Sequence, residues 1–187
     1  MTYTLNFDLE PRRFEFYVKN VKSKNDTNLF CLLDTGAFIP VWCSSVSILL
    51  NIYPNARFSG YITKISGFGH GVEFAPLYII PKFILSDGPN RVVYDNLPIA
   101  LLQKDYDYHM ILSYTMFTTA NMTFKNFISK QTGQIEKIKP KLLLNFPNDE
   151  LRVAANYGMV LGQQAKQAAQ KYGAKGLITN ISIFSQK

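Results

Sequence analysis

The sequence predicts a mostly β protein with an α-helix added at its C-terminal end. Three observations predict it. Up to about residue 146, apolar and polar residues alternate over short runs separated by Gly-, Asn- and Asp-rich turns. The chain carries 14 Phe and 11 Tyr, residue types that favour a pleated surface. Beyond residue 147 the spacing of the small and apolar residues lengthens from two to three or four. With 187 residues, 47% of them hydrophobic and 18% charged, the chain reads as folded, a β domain over 1–146 and a helical extension over 147–187.

Each element has its own signal. "TYTLNF" alternates, and "RRFEFYVKN" sets Phe14, Phe16 and Val18 against Arg13, Glu15 and Tyr17. "KSKNDTN" is a polar hairpin turn. "LFCLL" is a continuous apolar strand that ends at Asp34. "GYITKISGFGHGVEFAPLYII" is a hairpin whose tip alternates Gly67, Gly69 and Gly71. "RVVYDNLPIALL" supplies one or two further strands, and "YHMILSYTMF" a strand running into a short helix. "NMTFKNF" and "GQIEKI" are expected to close the sheet around the turn at Thr132 and Gly133. Then Leu151, Ala154, Gly158, Leu161, Ala165, Ala168 and Tyr172 mark one face of a helix. Asn148 is its expected N-cap, with Asp149 and Glu150 in the first turn, and Lys171 and Gly173 end it. Its small-residue face suits close docking on the β domain or on a second subunit.

Composition removes several function classes. Cys31 and Cys43 sit in apolar company and read as buried free thiols rather than a disulfide. The two histidines, His70 and His109, show no ligand spacing with them, so neither a metal site nor a thiol-protease pair is expected. Trp42 reads as core. The longest apolar runs are interrupted by proline and lysine, so no membrane span is expected. "MTYTLNFDLEPRR" lacks the apolar core of a secretion signal. The Asn-x-Ser/Thr triplets at Asn25, Asn121 and Asn180 then carry little weight, and a cytoplasmic location is expected. No cofactor is expected.

The unusual feature is an acid at the end of a buried strand. A carboxylate entering an apolar setting costs several kcal/mol unless it is hydrogen-bonded or protonated. Thr35 has a hydroxyl to donate, and Gly36 permits a tight turn that turns backbone N–H groups toward Asp34. Asp34-Thr35-Gly36 is thus a self-supporting loop that presents a carboxylate. The plainer alternative is a hairpin turn with Asp34 as its Asx acceptor.

Three features in order resemble the retropepsin-like aspartic proteases. Asp34, Thr35, Gly36 and Ala37 match that family's acid loop in full. Ile65 to Gly71 match its glycine-rich flap in character. Ile111 and Leu112 match the apolar pair that packs behind the acid loop, with Ser113 where the family has glycine. The resemblance spans roughly residues 1–130 and leaves the predicted helix outside it. It implies a closed barrel of the acid-protease fold with a short core helix, and aspartic endopeptidase activity on a peptide or protein substrate. That reaction takes two carboxylates sharing a proton around one water, one as general base and one as general acid. Asp-Thr-Gly occurs once, and Asp87, Asp105 and Asp107 lie in turn-like or polar settings. The second carboxylate is therefore expected from a second copy, in a two-fold homodimer with Asp34 of each subunit at the axis. The resemblance gives Asp34, Thr35 and Gly36 the catalytic centre, with Thr35 bonding across the axis. Ala37, Ile65, Gly67, Phe68 and Gly69 are expected to contact substrate, with Ile39 in the cleft wall.

Two rivals accompany this reading. One keeps the fold and drops the chemistry, leaving a dimeric binding or assembly module with a silent acid loop. The other is single-stranded nucleic-acid binding, from Lys125, Lys130, Lys137, Lys139 and Lys141 near Phe124 and Phe127, within a net charge of +7. A solvated lysine face over buried aromatics explains those residues more simply, and nucleic acid is not expected as a partner.

Overall fold

The computed structural model describes residues 3–10, 15–21, 27–37, 39–66, 72–102, 106–117, 120–125, 140–147, 150–159 and 176–185. In chain order the strands are β1 (Tyr3–Asp8), β2 (Glu15–Val21), β3 (Thr27–Asp34) and β4 (Val41–Trp42), followed by a helix, α1 (Val46–Ile52). Next come β5 (Arg57–Ser66), β6 (Val72–Ser86), β7 (Arg91–Leu101) and β8 (Met110–Ser113), then a 3-10 turn over Tyr114–Phe117. The rest are β9 (Asn121–Lys125), β10 (Lys141–Phe146), β11 (Glu150–Met159) and β12 (Gly176–Ser185). The protein is mostly β, as its alternation predicts.

The strands form two sheets. One has the order β1-β10-β9; the other runs β11-β12-β5-β6-β7-β4-β8-β3-β2, with β11 also beside β7. The closed barrel expected from the family resemblance is therefore not formed. β1 pairs with β10 in the smaller sheet, and the larger sheet ends on β2. A turn carboxylate also occupies a backbone donor of β1, since Asn6 N donates to Asp87 Oδ2 at 2.8 Å.

The expected C-terminal helix is corrected where it is described. Glu150–Met159 is a strand, parallel to β7 through Glu150–Val93, Leu151–Tyr94 and Arg152–Asp95, and antiparallel to β12. The three- and four-residue spacing there is carried partly by alanine and glycine, a weak pattern that two neighbouring strands override. The expected cap at Asn148 and the remainder of the helix over 160–173 lie outside the described residues, as does "GQIEKI". The core helix expected after Ser113 is only the 3-10 turn, whereas α1 was not anticipated. Its start is locally specified: Ser45 is the N-cap, and its Oγ accepts from Ile48 N at 3.4 Å.

The central strands divide two apolar clusters. Successive residues of a strand face opposite sides. Cys31 and Leu33 of β3, Met110 and Leu112 of β8, and Trp42 face a large core with Phe16, Phe83, Tyr94 and Phe146. The alternate residues Leu32, Ile111, Val41 and Cys43 face a smaller cluster with Ile39, Ile65, Ala75, Leu77, Ala100 and Leu102. Both thiols are buried and free, and Trp42 is fully buried, as expected. Desolvation by burial pushes the Cys43 thiol up to about 12 and raises Cys31 further, so both are inert packing groups at neutral pH.

Candidate active site

Asp34 is the last residue of β3 and lies beside Ser113 at the end of the parallel β3–β8 ladder. By alternation it shares a face with Leu32, which packs against the smaller cluster. The acid thus stands at the rim of an apolar wall. Leu32 behind it and Ala37 beyond the turn both pack against that cluster.

The loop holds the carboxylate as its sequence suggests. Gly36 N donates to Asp34 Oδ1 at 2.8 Å, and Ala37 N donates to the Asp34 carbonyl at 3.2 Å. This is the Asx-type turn of the plainer reading, but it occupies one carboxylate oxygen. Among the described residues no group donates to Oδ2. Asp34 is partly buried, and Thr35 and Gly36 are exposed. A Cβ placed on Gly36 would lie 3.2 Å from Asp34 Oδ1, so a side chain there would crowd the carboxylate. Ser113 is fully buried, and its hydroxyl lies 2.7 Å from that of Thr115. The buried hydroxyl thus has a partner, which removes most of the cost of burying it.

The expected substrate contacts divide. Ile65 and Ile39 are buried in the smaller cluster with Ala37 packed against it, so the root of the β5–β6 hairpin and the acid loop share one apolar wall. Ser66 pairs with Val72 as the last rung of that hairpin. Gly67, Phe68, Gly69 and His70 lie outside the described residues. His109 is structural: its Nδ1 accepts from Phe30 N at 3.2 Å while its own N donates to the Phe30 carbonyl at 2.8 Å. No group of three or more His, Cys, Asp or Glu side chains gathers among the described residues to hold a metal ion. No described helix is long and apolar enough to cross a membrane.

Two features near the acid were not foreseen. Tyr106 and Tyr108 stack with centroids 5.3 Å apart and planes 5° from parallel, and both pack against the smaller cluster. Burial, and after it coupling to the ionisable neighbours Cys43, Tyr106, Glu15 and Asp34, pushes the Tyr108 hydroxyl up to about 12. Glu15 is buried on β2, directly opposite Leu32. The stretch "DYDYH" does set the two tyrosines two residues apart, which was a usable signal. Nothing in "RRFEFYVKN" marks Glu15 as buried, because alternation alone puts it on the polar side.

No family model matches the chain, and no curated protein matches it. Among solved structures it is similar to a retropepsin-like aspartic protease from Rickettsia conorii, at 14% identity over 78% of this chain and 93% of that one, with a TM-score of 0.43.

Proposed function

We propose that the protein is an aspartic endopeptidase that acts as a homodimer, with Asp34 from each subunit forming the catalytic pair. One observation carries the reading: a carboxylate at the end of a buried strand, with one oxygen fixed by its own loop and the other given no donor by any described residue. A turn-closing acid needs no apolar wall beside it. An acid that must hold a water and a peptide does, because exclusion of bulk water strengthens each polar contact made there.

In this reading the two carboxylates meet at the two-fold axis. Like charges that close cannot both ionise, so one proton is shared. The ionised carboxylate takes a proton from water as it attacks the peptide carbonyl, and the protonated one passes its proton to the leaving amide nitrogen. The Gly36 N–H keeps Oδ1 in place during that exchange. The exposed Thr35 is free to reach the partner loop, and Ile39 and Ile65 wall the cleft. Phe68 and the glycines at 67 and 69 would cover the substrate.

The test is cleavage of a mixed peptide library from pH 4 to 7 by wild type and Asp34→Asn, with the mass measured by sedimentation. Cuts made only by wild type, from a dimer, support the reading. Equal cutting by both proteins, or activity that follows a strictly monomeric fraction, removes it.

A further inference from the structure

The two faces of β3 are treated differently. Leu29, Cys31 and Leu33 are buried in the larger cluster. The alternate residues Phe30, Leu32 and Asp34 share the opposite face, and each is partly exposed. An apolar strip thus leads away from the acid along its own strand, and it ends at an aromatic pair. Tyr17 of β2 is directly opposite Phe30 in the β2–β3 ladder, and residues so paired stand on one face. The two rings are in contact, with centroids 4.8 Å apart and planes tilted by 30°. Tyr17 is 47% exposed, so the pair is open to solvent.

We propose that the Tyr17–Phe30 pair is a remote subsite of the cleft, which takes an aromatic side chain of the peptide about four residues from the scissile bond. This subsite presupposes the reading of Asp34 as the catalytic acid and adds a substrate class to it.

Distance and chemistry set the occupant. Phe30 is four residues from Asp34 on one strand, about 13 Å at the rise of a β-strand. A peptide bound in extended form advances at the same rise, so the side chain that reaches the pair is about four residues from the bond held at Asp34. Leu32, between them, is apolar and packs against the smaller cluster, so the path along β3 crosses no exposed charge. Two rings tilted against each other offer both a face and an edge, and a third ring packs on either in an offset or edge-on arrangement. Exposed apolar residues scattered singly are ordinary, but these two touch and share the face of the acid. Phe58 and Tyr78 make a second contact of this kind, with Phe58 40% exposed, but Tyr78 packs against the larger cluster, which Asp34 faces away from.

The test separates binding from chemistry. The probes are peptides of one length and one sequence, except for a single Phe or Ala at a position moved along the chain. They are titrated calorimetrically into Asp34→Asn protein. The best-placed Phe should bind roughly fivefold more tightly than Ala, the size of one aromatic contact. Adding Tyr17→Ser should bring that ratio toward one. Phe30→Ser gives a second readout, lowering the same ratio, should the Tyr17 variant fail to fold by circular dichroism. In the peptides that wild type cuts, the favoured Phe should lie about four residues from the cut bond. Equal affinity for Phe and Ala at every position overturns the subsite, as does a ratio that survives both variants or a favoured Phe beside the cut bond. Wild-type cleavage of the same peptides is the separate readout of the catalytic reading. A preference that Tyr17 controls, without any cleavage, would keep the aromatic site and remove the protease; cleavage without the preference would do the reverse.

Discussion

Two aspartates, both at strand ends and both followed within two residues by glycine, are put to opposite uses. Asp87, in the turn between β6 and β7, is buried at 7% exposure. Both of its oxygens are occupied, Oδ1 by Asn90 N and Oδ2 by Asn6 N, each at 2.8 Å. It closes its own turn and ties β1 to it. Asp34 closes its own turn with one oxygen, and among the described residues no group donates to the other. The difference is in the use of hydrogen-bonding capacity, not in the residue. An acid whose acceptors are filled by backbone is part of the scaffold, and one held by half its acceptors is available for chemistry.

The strongest way to break this comparison is to remove the charge from each. Asp34→Asn keeps an acceptor for Gly36 N and should change stability by less than about 1 kcal/mol, while cleavage falls by on the order of 10²–10⁴-fold. Asp87→Ala should do the opposite. Two backbone donors lose a charged acceptor, and stability should fall by about 2–4 kcal/mol in urea titrations. Cleavage per folded molecule should stay near wild type. An unfolded Asp34→Asn, or an Asp87→Ala protein of unchanged stability, would erase the distinction.

A smaller effect sharpens it at Gly36. An added Cβ would stand 3.2 Å from Asp34 Oδ1, close enough that the carboxylate must give by a few tenths of an ångström. Gly36→Ala should lower the cleavage rate roughly tenfold, since misplacement of a reacting group is felt steeply. The melting temperature should move by only a few degrees. At Gly88 a Cβ would meet nothing closer than Lys19 Cδ at 3.7 Å, but its φ of +113° is one that side chains rarely adopt. Gly88→Ala should therefore cost stability through backbone strain and leave the rate alone.

The contrast also explains which parts could be read from the chain. β3 and Asp34 were legible because an apolar run ending in an acid is locally self-evident, and β5–β6 because glycines punctuate the tip. Cys31, Cys43 and Trp42 were legible as core from their neighbours. α1 was passed over although Ser45 before an apolar run is a cap signal, because its seven residues are too few to show a period. β11 was misread since its spacing fits a helix as well as a strand, and only the pairing with β7 and β12 decides. Barrel closure is a property of which strands meet, and no residue of β1 or β2 announces that β1 will pair with β10. Glu15 was hidden for the same reason: its burial depends on what packs over Leu32, seventeen residues further along.

The smallest effect asks whether the two acids differ in the field they cast. Tyr108 feels Asp34, and Asp87 is not among the charges that raise it. Its hydroxyl, pushed up to about 12 by burial first and then by its ionisable neighbours, is neutral in the folded protein where an ordinary tyrosine at 10 would begin to ionise. Because the folded value is raised, the stability this contributes is complete below pH 10 and is lost as pH climbs from 10 toward 12. Removing the Asp34 charge should bring the Tyr108 titration down by a few tenths of a unit, the size expected of one charge in a partly solvated setting. Asp87→Asn should leave it in place. Labelling the tyrosine ring carbon and following its chemical shift between pH 9 and 11 reads this directly, within the range where the fold is retained. A shift in the Asp34 variant alone puts Tyr108 inside the field of that acid. An equal shift in both variants would mean the field is that of the whole molecule, and Tyr108 would lose its special relation to Asp34.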